Sequence, residues 1–104
     1  KYVPISKYPS VQRDLAFVID RNMPVKKVVK IINKNARYNK EEIIRNVEVF
    51  DVYQGEHVAK DEKSVALSIT FQSDTHTLKD EEINEVFENI LQAIQTECNA
   101  TLRS

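Results

Sequence analysis

One segment in the second half of the chain alternates between large apolar and small polar side chains without a break. It runs from Lys63 to Phe71, and every second residue from Val65 onward is large and apolar. Successive side chains of a β-strand point to opposite faces of a sheet, so this segment predicts a strand with one face in a hydrophobic core. The other face would carry only small residues, namely Ser64, Ala66, Ser68 and Thr70. The chain therefore needs a sheet that is covered on one side and open on the other.

Three further strands are predicted, at Arg13–Ile19, Glu42–Tyr53 and 100–103. The first is apolar at nearly every residue, which is typical of a central strand. In the second, apolar residues fall on both alternating phases, so either a β-bulge or a change of covering partner is expected there. The only glycine, Gly55, follows that strand and is predicted to supply a positive φ angle.

Two helices separate these strands. Pro24 suits the first position of a helix, and the apolar stripe that follows extends to Ala36. The second helix is predicted to have Thr77 as its N-cap, with Asp80 as the capping-box partner. Its long apolar stripe reaches Ile94.

The predicted order is β-α-β-β-α-β, which indicates an α+β ferredoxin-like fold. Both helices would cover one face of a four-stranded antiparallel sheet, with the first and third of these strands at its centre. Leu15, Phe17 and Ile19 are expected to face the helices. Alternation along the strand then leaves Asp14, Ala16 and Val18 on the open face. With 104 residues, of which 41% are hydrophobic, the chain is expected to form one domain over residues 1–104. Residues 1–12 would be an extended N-terminal arm, and the start at Lys1 is interpreted as a cut from a longer protein.

Charge is divided unevenly along the chain. Residues 1–52 carry 11 basic and 6 acidic side chains, whereas residues 53–104 carry 4 and 10. Residues 21–40 hold 7 basic side chains and no acidic one. This block is either an electrostatic footprint for a polyanion or a solvated helix face that the acidic second helix balances.

Several functions of this fold class lack the residues that they need. Cys98 is the only cysteine, so the chain has neither an internal disulfide nor the C-x-x-C pair of a soft-metal carrier, and a small buried side chain is expected instead. His57 and His76 are isolated and are interpreted as exposed loop residues, not metal ligands. No nucleophile–base arrangement indicates catalysis, and no apolar run is long enough to span a membrane.

The end of the Glu42–Tyr53 strand carries the most informative side chains. Asp51 and Tyr53 are two residues apart and share a face unless a bulge intervenes, and Ser64 begins the neighbouring strand. A phenol ring stacks on an unpaired base, and a carboxylate accepts the two parallel donors of guanine. The alternative is a tyrosine packed on the sheet edge, with Asp51 capping the turn.

The chain resembles the family of ferredoxin-fold anticodon-binding domains, which stand at the C-terminus of the β subunit of phenylalanyl-tRNA synthetases. The resemblance spans nearly the whole chain and rests on six segments in order, at residues 6–9, 13–16, 50–56, 63–72, 77–84 and 102–103. It implies a cytoplasmic α₂β₂ enzyme that ligates phenylalanine to its tRNA with ATP and magnesium. The active site would lie in the other subunit, so this domain would be inert by itself and would hold no cofactor.

The resemblance also implies which residues touch the anticodon stem-loop of tRNA(Phe). Asp51, Tyr53 and Ser64 match the contact positions of the family, and the other candidate RNA-binding residues are Lys7, Arg13, Ala16 and His76. Gln12 and His76 stand where many relatives have arginine. A second hypothesis is a structural or protein-interaction domain that docks its open sheet face on a neighbouring domain.

Overall fold

The computed structural model describes residues 8–55 and 58–102. The strands, in chain order, are β1 Val11–Asp20, β2 Arg37–Tyr38, β3 Glu41–Glu42, β4 Ile44–Tyr53, β5 Glu62–Phe71 and β6 Thr101–Leu102. The helices are α1 Val25–Lys34 and α2 Asp80–Cys98.

Four strands form the main sheet, in the order β4-β5-β1-β6, and every neighbouring pair is antiparallel. β1 and β5 occupy the centre and β4 is an edge strand, which confirms the ferredoxin-like α+β fold. β1 begins at Val11, two residues before the predicted start, so the N-terminal arm is shorter than expected. Residues 1–7 of that arm lie outside the described residues, as does Arg103 at the end of the last predicted strand.

The hydrophobic core lies between the helices and one face of the sheet. Leu15, Phe17 and Ile19 are buried, as predicted from the pattern of β1. Fully buried side chains come from both central strands and both helices, including Val65, Leu67, Ile69, Phe71, Val28, Ile32, Ile83, Val86, Ile90 and Ile94. Neither helix of the described residues covers the opposite face of the sheet, which is called the open face below.

A short β2–β3 hairpin was not predicted from the sequence. Its two turn residues, Asn39 and Lys40, have φ angles of 50° and 67°. Two consecutive left-handed residues are typical of a two-residue hairpin turn. The hairpin takes Glu42 out of the predicted second strand, which instead begins at Ile44. The strands are too short to show an alternating pattern.

The ends of both helices differ from the prediction. α2 begins at Asp80 with Lys79 as its N-cap, so the prediction of Thr77 as the N-cap is wrong. Glu82 at N3 accepts a hydrogen bond from the Lys79 backbone N–H at 2.8 Å, and this places the helix start two residues later. In α1, Pro24 is the N-cap, and Ala36 lies beyond the last helical residue, where it is buried in the core.

Candidate nucleic-acid interface

The register of the sheet brings four of the predicted site residues together on the open face. Tyr53 of β4 pairs with Ser64 of β5, and Asp51 pairs with Ala66. Ala66 in turn pairs with Ala16 of β1. Directly paired residues of antiparallel strands point to the same side. Asp51, Tyr53, Ser64 and Ala16 therefore lie in two adjacent rows that extend about 10 Å across three strands.

A β-bulge at Phe50 produces this arrangement. The ladder passes from the Val49–Leu67 pair to the Asp51–Ala66 pair, so Phe50 is an extra residue without a partner in β5. Val49 points toward the helices together with Leu67. If Phe50 were instead paired with Ala66 in an unbroken ladder, alternation would turn Asp51 and Tyr53 toward the helices as well. The mixed apolar pattern of this strand left two explanations, a β-bulge or a change of covering partner. The structure contains the bulge.

The two rows form a low platform with an aromatic side chain at its edge. Ala16, Ser64 and Ala66 are half-buried and have short side chains, so these three described positions leave the surface of β5 and β1 low. Tyr53 is 42% exposed, which leaves much of its ring accessible. The platform therefore has room for a flat ligand beside a ring that can stack on it.

The charged side chains on this face are carboxylates. Glu48 pairs with Ser68, which pairs with Asp14, and this row lies next to the row of Asp51. At the described, paired positions of the three long strands, the open face carries acidic side chains and no basic one. Such a face attracts N–H donors and repels phosphates. Base edges suit it better than a nucleic-acid backbone.

Gln12 also lies on the open face, because it pairs with Thr70 of β5. Its side-chain amide donates a hydrogen bond to Ser68 Oγ at 2.7 Å. Ser68 is buried, so this bond fixes Gln12 along the sheet surface.

Arg13 lies on the other side of the sheet, away from the four-residue cluster. Its Nη2 donates to Asn84 Oδ1 at 3.1 Å, and its guanidinium carbon lies 5.8 Å from the ring centre of Phe87. Both partners belong to α2. In this structure Arg13 joins β1 to α2. Lys7 lies outside the described residues.

His76 is also remote from the cluster, because it follows the end of β5 that is farthest from Ser64. Its Nε2 lies 2.8 Å from Glu82 Oε2, and since a carboxylate only accepts, Nε2 donates this hydrogen bond. Its Nδ1 lies 2.8 Å from Thr75 Oγ1. The imidazole is thereby fixed in the connection between β5 and α2. The other histidine, His57, lies outside the described residues.

The same connection is tied to the β2–β3 hairpin through Glu41. This carboxylate accepts hydrogen bonds from Ser73 Oγ at 2.6 Å, from the Asp74 N–H at 3.1 Å and from Thr75 Oγ1 at 3.2 Å. The Ser73 bond is the largest reason why the pKa of Glu41 lies below its ordinary value. The pKa of Glu82 is lowered too, first by the Lys79 N–H and then by His76.

A metal site finds no support in the described part of the chain. No group of three or more His, Cys, Asp or Glu residues in the described part of the chain is placed to hold a metal ion. Cys98 is buried in the core, as predicted, and burial raises the pKa of its thiol. Within residues 8–55 and 58–102, neither helix has the length and apolar character that a membrane span requires.

The element order and the four-stranded antiparallel sheet define the class, a ferredoxin-like α+β domain. Residues 6–103 match the model of the ferredoxin-fold anticodon binding domain, so the chain belongs to that family. Two similar proteins are the phenylalanine–tRNA ligase β subunits of two Dehalococcoides mccartyi strains, which are 46% and 45% identical over all 104 residues. The corresponding subunit of Carboxydothermus hydrogenoformans is 39% identical over the same length. The chain spans about 12% of the length of each of these relatives.

Three features of the interface were not predicted from the sequence. Phe50 was not identified as the bulged residue, the position of Glu48 on the open face was missed, and Arg13 was not assigned to α2. The mixed apolar phases of β4 were the only signal of the bulge, and they do not locate it. Once the bulge is placed, alternation puts Glu48 and Asp51 on the same face.

Proposed function

We propose that this chain holds the anticodon loop of tRNA(Phe) and is the anticodon-binding part of the β subunit of a phenylalanine–tRNA ligase. The observation that carries the proposal is the shared open face of Asp51, Tyr53, Ser64 and Ala16, which the Phe50 bulge creates. The family match and the names of the relatives support it.

The chemistry of the face favours an unpaired guanine, which is the first anticodon base of tRNA(Phe). The Tyr53 ring stacks on the base, and the short side chains of Ala16 and Ala66 let the base lie close to the sheet. Asp51 accepts the N1–H and N2–H₂ donors of guanine as a parallel pair. Asp14 and Glu48 repel phosphates, so a loop that approaches this face presents its bases first.

The remaining parts of the proposal concern the whole protein. The chain acts with the rest of the β subunit and with an α subunit in an α₂β₂ assembly in the cytoplasm. ATP and magnesium serve the ligation reaction outside this domain, which positions the tRNA and takes no chemical part.

The test is a titration of the chain with an anticodon stem-loop of tRNA(Phe) at two salt concentrations, next to a stem-loop with adenine at the first anticodon position. We expect tighter binding of the guanine hairpin, with affinity that falls as salt rises because salt screens the attraction between the RNA and the basic side chains of residues 21–40. A variant that loses a carboxylate outside the open face serves as the control. Glu97→Gln removes an exposed carboxylate of α2 and should leave the preference between the two hairpins unchanged. Equal affinity for both hairpins would contradict guanine reading. No binding to either would favour the second hypothesis, in which the open face docks on a protein domain.

A further inference from the structure

The phenol end of Tyr53 occupies the space in which a residue other than glycine would carry its Cβ atom at position 55. A Cβ atom built on Gly55 would lie 2.7 Å from Cζ and 3.2 Å from Cε2 of Tyr53, and closer still to its hydroxyl oxygen. Non-bonded carbon atoms pack at about 3.5–4.0 Å. No residue with a side chain therefore fits at position 55 while the Tyr53 ring keeps its place.

The glycine is not needed for its backbone freedom. The sequence predicted a positive φ at Gly55, and this prediction is wrong, because Gly55 has no positive φ angle. The backbone at this position accepts any L-residue, and the three atoms nearest to the added Cβ all belong to the phenol end of Tyr53. A side chain at position 55 would therefore displace the ring and leave the backbone where it is.

We infer that Gly55 is a positioning residue for Tyr53, and that the lack of a Cβ lets the phenol lie back over the chain in one orientation before RNA arrives. The inference rests on the proposed function, in which Tyr53 stacks on an anticodon base. A ring that is already oriented loses less conformational freedom on binding than a mobile one, so pre-positioning increases affinity. Gly55 itself needs no contact with the RNA.

The test is a double-mutant cycle with Gly55→Ala, Tyr53→Ala and the combined variant, each titrated with the guanine and adenine hairpins. Gly55→Ala should weaken binding of both hairpins by about 5-fold, the lower end of what one stacked base contributes. In the Tyr53→Ala background the same substitution should have no further effect, because no ring is left to displace. Gln54→Ala, at the exposed neighbouring position, is the matched control and should bind like the wild type. An equal loss in both backgrounds, unchanged affinity or tighter binding of Gly55→Ala would overturn the inference.

Two measurements without RNA separate this inference from the proposed function. The Gly55 Hα resonances should carry a ring-current shift that Tyr53→Leu removes. An alanine at a position with ordinary φ raises the melting temperature by restricting the unfolded chain. Gly55→Ala should therefore raise it more in the Tyr53→Ala background than beside the intact ring. If the wild type binds no hairpin, the proposed function fails, whereas the Gly55 shift and the two melting temperatures still decide where the ring lies. An unshifted Gly55 resonance would overturn the inference even if RNA binds.

Discussion

Asp51 lies directly opposite Ala66 on the open face, although an unbroken ladder counted from the Val49–Leu67 pair would place Phe50 there. Because of the bulge, the alternation of side chains between the two faces shifts by one residue after Val49. This shift brings a carboxylate and a phenol to the uncovered side of the sheet and leaves Phe50 58% exposed. The composition of the proposed site thus depends on where the bulge falls in β4 as well as on the residues of that strand.

Deleting Phe50 should leave RNA binding largely intact. Without the bulged residue the ladder becomes regular, but it still pairs Asp51 with Ala66 and Tyr53 with Ser64, so both side chains stay on the open face. Dissociation constants and a thermal melt check this. Phe50→Ala is the control, because it keeps the residue count and should bind nearly as well as the wild type. Lost binding after the deletion, with an unchanged thermal melt and normal binding by Phe50→Ala, would show that the bulged backbone itself is needed to position the site.

Asp51→Asn should weaken the guanine hairpin more than the adenine hairpin. Asparagine keeps the shape but loses the charge and one acceptor, and hydrogen bonds to charged groups contribute about 1.5–3 kcal/mol. We expect a loss of roughly 10-fold or more for guanine and a narrower preference over adenine. Four dissociation constants, from two proteins and two hairpins, measure the effect. Equal losses for the two hairpins would mean that Asp51 caps the strand end and reads no base.

Tyr53→Ala should weaken both hairpins by a similar factor. Every base has a π-face, so the loss of a stacking ring costs about 1–3 kcal/mol whichever base is present, or roughly 5- to 100-fold in affinity. The same titrations measure it. Melting curves must accompany them, since a destabilised sheet edge would imitate lost binding. A loss confined to one hairpin would argue against stacking.

Neutralising Lys26, Lys27, Lys30 and Lys34 together should change the kinetics and the salt dependence but not the base preference. These side chains project from the helical layer, on the side away from the open face, and all four are exposed. Charges at that distance attract RNA without touching bases, so association should slow and the salt dependence should flatten. Stopped-flow association at two salt concentrations tests this. A changed preference between guanine and adenine would place these lysines in direct contact with the loop.

Stability should fall in mild acid because Glu41 and Glu82 have lowered pKa values in the folded chain. A carboxyl whose pKa is depressed by folding stabilises the fold above its unfolded pKa, and this stabilisation disappears as pH falls through the folded pKa. The melting temperature should therefore drop below about pH 4.5, the ordinary glutamate value.

Two variants test the origin of that pH dependence. Ser73→Ala removes the hydrogen bond that lowers the pKa of Glu41 most, so it should flatten the acid limb of a plot of melting temperature against pH. Glu42→Gln, an exposed neighbour on the same hairpin strand, should leave the limb unchanged. An acid limb that is identical in Ser73→Ala and the wild type would contradict the assignment.

The sequence by itself determined the order of the two helices and the four strands of the main sheet, and the covered face of each central strand. Alternation in β5 and the apolar run in β1 are local patterns, and burial on one face requires them wherever the sheet forms. A carboxylate such as Asp51 and a phenol such as Tyr53 can also be recognised without a structure, because the chemistry of a side chain is read directly from the sequence.

The tertiary structure alone decided which of those side chains meet. The position of the bulge at Phe50 depends on how β4 pairs with β5, and the direction of Arg13 depends on where Asn84 and Phe87 of α2 lie. The start of α2 at Asp80 depends on the hydrogen bond between Glu82 and the Lys79 backbone, and the role of Gly55 on the resting place of a ring two residues away. The pairing of β4 and the place of Arg13 are set by contacts between segments that are distant in the chain. The other two involve residues close together in the chain, but they depend on which hydrogen bond forms at the start of α2 and on where the Tyr53 ring rests.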